Sequence, residues 1–185
     1  MESDKNLTKL IQRLPEDDSL HEVIYPIVYN ELKRMAGYRL SMERENHTVS
    51  KTELVHEVYI KMIDGTQINY NDLSHFKALA STCMRQLLID HARKKNAVKR
   101  GDGKQDLTYI DGIYNKYDQS VEDLLNIEKA LQKLEKLNSR LSEVVTMRFF
   151  GEMKIDQIAE VLDVSESTVN RDWKKAKGFL FNEMK

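Results

Sequence analysis

Along most of the chain, apolar residues recur every three or four positions, the spacing that gathers them on one face of a helix. A short amphipathic segment from Leu7 to Leu14 ends at Pro15. Ser19 is placed to cap a second helix with the stripe Leu20, Ile24, Ile27, Val28, Leu32, Met35 and Leu40; Pro26 predicts a kink or a late start there. After the polar connection Ser41 to Thr48, a helix opens at Thr52 and carries Leu54, Val55, Val58, Tyr59 and Met62. Turn residues from Asp64 to Asp72 predict a loop. A longer helix begins at Ser74, presents Phe76, Leu79, Ala80, Cys83, Leu87 and Leu88, and runs into the basic sequence HARKKNAVKR.

Gly101, Gly103 and Gly112 then interrupt the periodicity, and residues 101–119 read as a flexible linker with little core. The pattern resumes from Ser120 to Leu137 with Leu124, Leu125, Ile127, Leu131 and Leu134. It continues on another helix with Leu141, Val144, Val145, Phe149 and Phe150, which Gly151 is expected to end in a left-handed conformation. No stretch of useful length alternates as a strand would. The predicted fold is all-α: two small helical domains, residues 1–100 and 120–185, on the 101–119 tether.

The last part of the second domain, Lys154 to Leu180, holds two short helical patterns split by a break. Ile155, Ile158 and Leu162 form the apolar face of the first, and Ala159 allows a close helix crossing. Val164 plugs the turn. Asp163, standing where Gly is usual, is expected to be left-handed, which Asp tolerates better than most residues. Lys154 stands where a Ser or Thr cap is usual, whereas Ser165 is well placed to cap the second helix and Glu166 suits its positive end. In that second helix Val169, Trp173 and Ala176 face inward, with Trp173 expected on Ile158, Leu162 and Phe149. Ser167, Thr168, Asn170, Arg171, Lys174 and Lys175 are left to reach outward. This is a helix-turn-helix with a polar, basic outer face, the arrangement that places its second helix in a DNA major groove.

Charge changes the picture at one further place. The formal net charge is only −1, so attraction to nucleic acid must come from local patches. Arg85, Arg93, Lys94, Lys95, Lys99, Arg100 and Lys104 gather against only Asp90 and Asp102, a phosphate-contacting surface in an otherwise balanced chain. Enzyme chemistry is not indicated. Cys83, beside His75 or His91 in sequence, falls on the apolar side of its helix and reads as a structural thiol. His21-Glu22 and His56-Glu57 lack a third metal ligand at helical spacing, and no Gly-rich phosphate loop is present. No catalytic, cofactor or metal site is therefore expected. A single cysteine fits a reducing cytoplasm, and neither a signal peptide nor a long apolar span is seen, so no membrane partner is expected.

Three motifs in order resemble the extracytoplasmic-function (ECF) sigma factors of bacterial RNA polymerase. LVHEVYIKMI, Leu54 to Ile63, is similar to the core-binding helix of region 2; MRQLLIDHARKK, Met84 to Lys95, to the helix that follows; and Leu141 to Leu180 to region 4. The chain departs from the family pattern at Gln86, where Asn is common, at Leu79, where Trp is common, and at Asp163. The resemblance implies binding to RNA polymerase core, promoter DNA as a partner, and an anti-sigma protein as a further candidate partner. Region 4 would read the upstream (minus-thirty-five) element through Asn170 and Arg171, with Ser167, Thr168, Lys174 and Lys175 on phosphates. Region 2 would take the downstream (minus-ten) element as it melts, with Arg85, Gln86, Arg93, Lys94 and Lys95 along the strand and the loop Asn69, Tyr70, Asn71 capturing bases. Leu54, Glu57, Val58 and Lys61 are the implied polymerase contacts. The rival reading is a stand-alone helix-turn-helix regulator with an N-terminal sensor or dimerisation domain, for which the basic Arg93 to Lys104 stretch has no use.

Overall fold

One long helix is the spine on which the other helices pack. The structure, a computed structural model, describes residues 26, 29–36, 51–64, 73–101 and 111–185. Among these residues there are seven helices and no strand: α1 (29–36), α2 (Lys51–Asp64), α3 (Leu73–Gly101), α4 (Asp111–Leu137), α5 (Ser139–Phe149), α6 (Ile155–Val161) and α7 (Glu166–Glu183). Helix α3, at 29 residues, runs about 43 Å at the usual rise per residue. It packs against α2 on one side and against α4, α5 and α6 on the other. The segment Leu7 to Leu14, the Ser19 cap, the connection Ser41 to Thr48 and the loop residues 65–72 lie outside the described residues.

The apolar stripes predicted for α2, α3, α4 and α5 meet in one continuous cluster. Leu32 and Met35 of α1, Leu54 and Val58 of α2, Phe76 and Met84 of α3, Leu131 and Leu134 of α4, and Phe150 after α5 are all buried in it. A second, smaller cluster holds the helix-turn-helix together through Val144, Met147, Met153, Ile158, Ala159 and Val169. The larger cluster thus draws residues from both halves of the chain. Burial of this much apolar surface favours their close packing, at roughly 25 cal/mol for each Å² removed from water.

One reading of the linker region changes, and so does one of a glycine outside it. Residues 102–110 lie outside the described residues, but from Asp111 the chain is already helical, so 111–119 belong to α4. Gly112 falls in the first turn, where the backbone N–H groups have no intrahelical partner and a glycine breaks little. Gly151, in turn, is not left-handed; Glu152 after it takes that conformation, with φ 53°. Glycine is required at 151 for closeness instead. A Cβ there would lie 1.8 Å from Ser81 Oγ on α3 and 2.8 Å from the Met147 carbonyl oxygen.

A run of charges ties α1 to both halves. Buried Lys77 of α3 contacts Glu31 at 2.9 Å, Arg34 contacts the same carboxylate at 2.9 Å, and its other arm reaches Glu152 at 2.7 Å. Burial alone would raise the Glu31 pKa; hydrogen bonds from Arg34 and Lys77 outweigh it and hold the carboxyl below its ordinary value. A lowered carboxylate pKa contributes stability that is complete above the unfolded value and lost as pH falls through the folded one. Glu31→Gln is accordingly expected to flatten the acid limb of a stability-versus-pH curve measured by denaturant unfolding. An unchanged limb would mean that the network contributes nothing there.

Candidate nucleic-acid interface

The connection between α6 and α7 sets the angle of the outward-facing helix. Helix α6 is capped at Lys154, whose side chain offers no acceptor; instead the Gln157 side-chain oxygen accepts the Lys154 N–H at 3.1 Å. The helix ends in a Schellman arrangement, with the Val164 N–H donating to Ala159 O at 3.0 Å and the Asp163 N–H to Glu160 O at 3.3 Å. Asp163 takes the left-handed conformation expected of it, φ 50°. A non-glycine residue there is strained by about 1–2 kcal/mol. Asp163→Gly, which offsets part of that relief by freeing the unfolded chain, should stabilise the fold by up to about 1 kcal/mol in denaturant unfolding. Val164 packs on the small core, and Ser165 caps α7 by accepting the Thr168 N–H at 3.2 Å.

The inward face of α7 differs from the expectation at one position. Val169, Asp172 and Ala176 are the buried residues, and Trp173 is only half-buried at the junction of the two clusters. The indole is flanked by cations, Arg148 at 5.6 Å and Lys177 at 5.7 Å from the ring centroid. The buried Asp172 carboxylate is held by Arg140 Nε of α5 at 2.7 Å. This pair was not legible in the sequence, since its two members lie 32 residues apart.

Ser167, Asn170, Arg171, Lys174 and Lys175 are exposed on α7, as the periodicity required. Among the described residues no ion pair engages Arg171, Lys174 or Lys175. The hydroxyls are less available: Ser165 Oγ lies 2.9 Å from both Ser167 Oγ and Thr168 Oγ1, and Thr168 is half-buried. Asn170 Nδ2 donates to Glu166 O at 3.0 Å, which occupies one of its two N–H donors and leaves the other, with the amide oxygen, for a two-pronged contact with adenine.

On α3, Gln86, Arg93 and Lys94 are exposed, with Arg93 only loosely paired to Asp90 at 3.5 Å. The Lys95 side chain and the loop residues Asn69, Tyr70 and Asn71 lie outside the described residues. Arg85 does not sit with the others. Its Nε donates to Glu128 of α4 at 2.8 Å and its Nη1 to Thr146 Oγ1 of α5 at 3.2 Å. On α2, Leu54 and Val58 are fully buried and so belong to the core, not to a partner surface; this corrects their expected polymerase contact. Glu57 is half-buried against His91 at 3.0 Å, and Lys61 is exposed. The outward side of α2 carries His56, Ile60 and Lys61. Ile60, 45% exposed, was missed, although it lies opposite the Leu54, Val58, Met62 stripe. Cys83 is buried, and burial pushes its thiol pKa up, away from the reactive thiolate.

The family model for ECF sigma factors matches residues 4–185, nearly the whole chain. The chain belongs to the ECF sigma factor family. No curated protein and no solved structure matches it. As an ECF sigma factor it acts in transcription initiation, in a family that is not enzymatic and whose partners are RNA polymerase core and promoter DNA. Among the described residues no helix is long and apolar enough to cross a membrane.

Proposed function

We propose that this sigma factor reads the upstream promoter element as duplex with α7 and handles the downstream element as a melted strand along α3. The observation that carries the first half is the exposed Arg171, Lys174 and Lys175 on a helix capped and angled by a tight turn. Arg171 suits the acceptor edge of guanine and Asn170 the adenine edge, while Lys174 and Lys175 hold phosphates. Ser167 and Thr168, engaged at the cap, contribute to phosphate binding through the helix N-terminus they complete. For the melted strand, Gln86, Arg93, Lys94, Lys95 and Arg85 supply the track, with Asn69, Tyr70 and Asn71 as the base-capturing loop. Polymerase core docks on the outward side of α2, with His56, Ile60 and Lys61 in contact and Glu57 at the margin; buried Leu54 and Val58 keep that helix in place.

Run-off transcription with reconstituted holoenzyme tests the assignment. Arg171→Ala is expected to lose about 1–3 kcal/mol of discrimination at one upstream base pair, while Lys174→Ala weakens all promoters alike. A uniform loss for Arg171→Ala would remove its base-reading role. Lys94→Ala with Lys95→Ala should impair opening, and a pre-melted template should restore the product.

A further inference from the structure

Four residues of α3, Ser74, Ala78, Ser81 and Arg85, follow one another at helical spacing and share a face. The second half of the chain covers all four. Ser74 Oγ donates to Glu160 of α6 at 2.7 Å, and Ala78 packs on the small core of the helix-turn-helix. Ser81 stands against Gly151, so close that no Cβ fits between them. At the end of the row Arg85 is held by Glu128 and Thr146.

We propose that the free chain is self-docked, its second half covering this face of α3 and withholding Arg85 from single-stranded DNA. The proposal rests on the reading of Arg85 as a strand contact. The Arg85 and Glu128 side chains are only 15% and 12% exposed, so a phosphate cannot approach the guanidinium without displacing the carboxylate. An ion pair this sheltered gains little over apolar packing, because desolvation offsets most of the attraction, but removing one partner strands the other charge in the contact, so the docked arrangement depends on both being present. The shared apolar cluster supplies the adhesion. A chain that binds only when open shows its intrinsic affinity reduced by the fraction that is open. Self-docking therefore lowers strand affinity without altering any strand-contacting residue.

The test uses the full-length free chain. Glu128→Arg sets two guanidinium groups against each other and is expected to expand the particle in small-angle X-ray scattering. Arg85→Glu combined with Glu128→Arg should restore the wild-type profile, which also shows that the single variant had not simply failed to fold. In titrations with a fluorescent single-stranded oligonucleotide, Glu128→Gln should bind about tenfold more tightly than wild type, as expected for a mostly closed chain. Glu135→Gln, an exposed charge on the same helix, should leave binding unchanged and so controls for net charge. An unaltered scattering profile for Glu128→Arg would overturn self-docking through this pair. Equal strand binding by Glu128→Gln and Glu135→Gln would overturn the withholding of Arg85. Both arms are read without polymerase, so a holoenzyme that failed at promoters would count against the promoter reading alone.

Discussion

Holoenzyme assembled with this sigma factor is expected to bind promoters at about 10⁻⁸–10⁻¹¹ M, against about 10⁻⁴–10⁻⁶ M for the free chain at physiological salt. Each reading surface is small by itself. The upstream one is a single helix with three cations that no ion pair engages among the described residues, and the net charge of −1 provides no long-range attraction to DNA. In the free chain Arg85 is committed to Glu128. Polymerase holding both halves at a promoter's spacing makes the second contact intramolecular, at high effective concentration, which raises affinity with no new side-chain contact. Salt-controlled titrations of promoter and scrambled duplexes, with and without core, measure the difference. Nanomolar, sequence-selective binding by the chain alone, unaltered by core, would sink this mechanism and favour a stand-alone regulator.

Arg140→Ala is expected to destabilise the fold by about 1–3 kcal/mol, the cost of leaving a buried acceptor without its partner. The asymmetry of the pair decides which partner matters. The Asp172 side chain is 3% exposed and the Arg140 side chain 43%. Removing Arg140 leaves a buried carboxylate without its counter-charge. Removing the charge of Asp172 leaves an arginine that water already reaches. Asp172→Asn should therefore cost much less, and added to Arg140→Ala it should recover most of the loss. Denaturant unfolding of the three variants gives the ranking. Equal costs for the two single changes would mean that Arg140 is not what makes the buried charge tolerable.

What could be read from sequence was what local periodicity controls. The stripes of α2, α3, α4 and α5, the Ser165 cap, the left-handed Asp163 and the outward set on α7 follow from spacing and from the chemistry of one or two residues. The failures at polar and glycine positions were of two kinds. Polar residues whose partners are distant in sequence escaped local periodicity: the Asp172–Arg140 pair was not foreseen, and Arg85 is drawn off the basic track by Glu128. The other kind concerned glycine. Gly112 looked like a linker residue but begins a helix, and Gly151 looked like a turn residue but serves close packing against Ser81. A composition signal cannot separate a glycine that is merely tolerated, as at 112, from one whose missing Cβ is required, as at 151. Leu54 and Val58 were placed on a partner surface by resemblance, whereas their own periodicity put them in the core, and periodicity prevailed.

The division of labour along α7 bears on how such factors diverge. Val169, Asp172 and Ala176 anchor the helix, while Asn170, Arg171, Lys174 and Lys175 are exposed and, among the described residues, make no ion pair and only the one hydrogen bond of Asn170 within the helix. Substitutions at those exposed positions carry little stability cost, since surface changes usually stay within about 0.5 kcal/mol. Duplicated copies could therefore drift toward new promoter repertoires while still folding, provided that Arg140 and Asp172 travel together. For engineering, the exposed positions can be randomised as a library on an otherwise unchanged chain, yielding orthogonal regulators that share one scaffold.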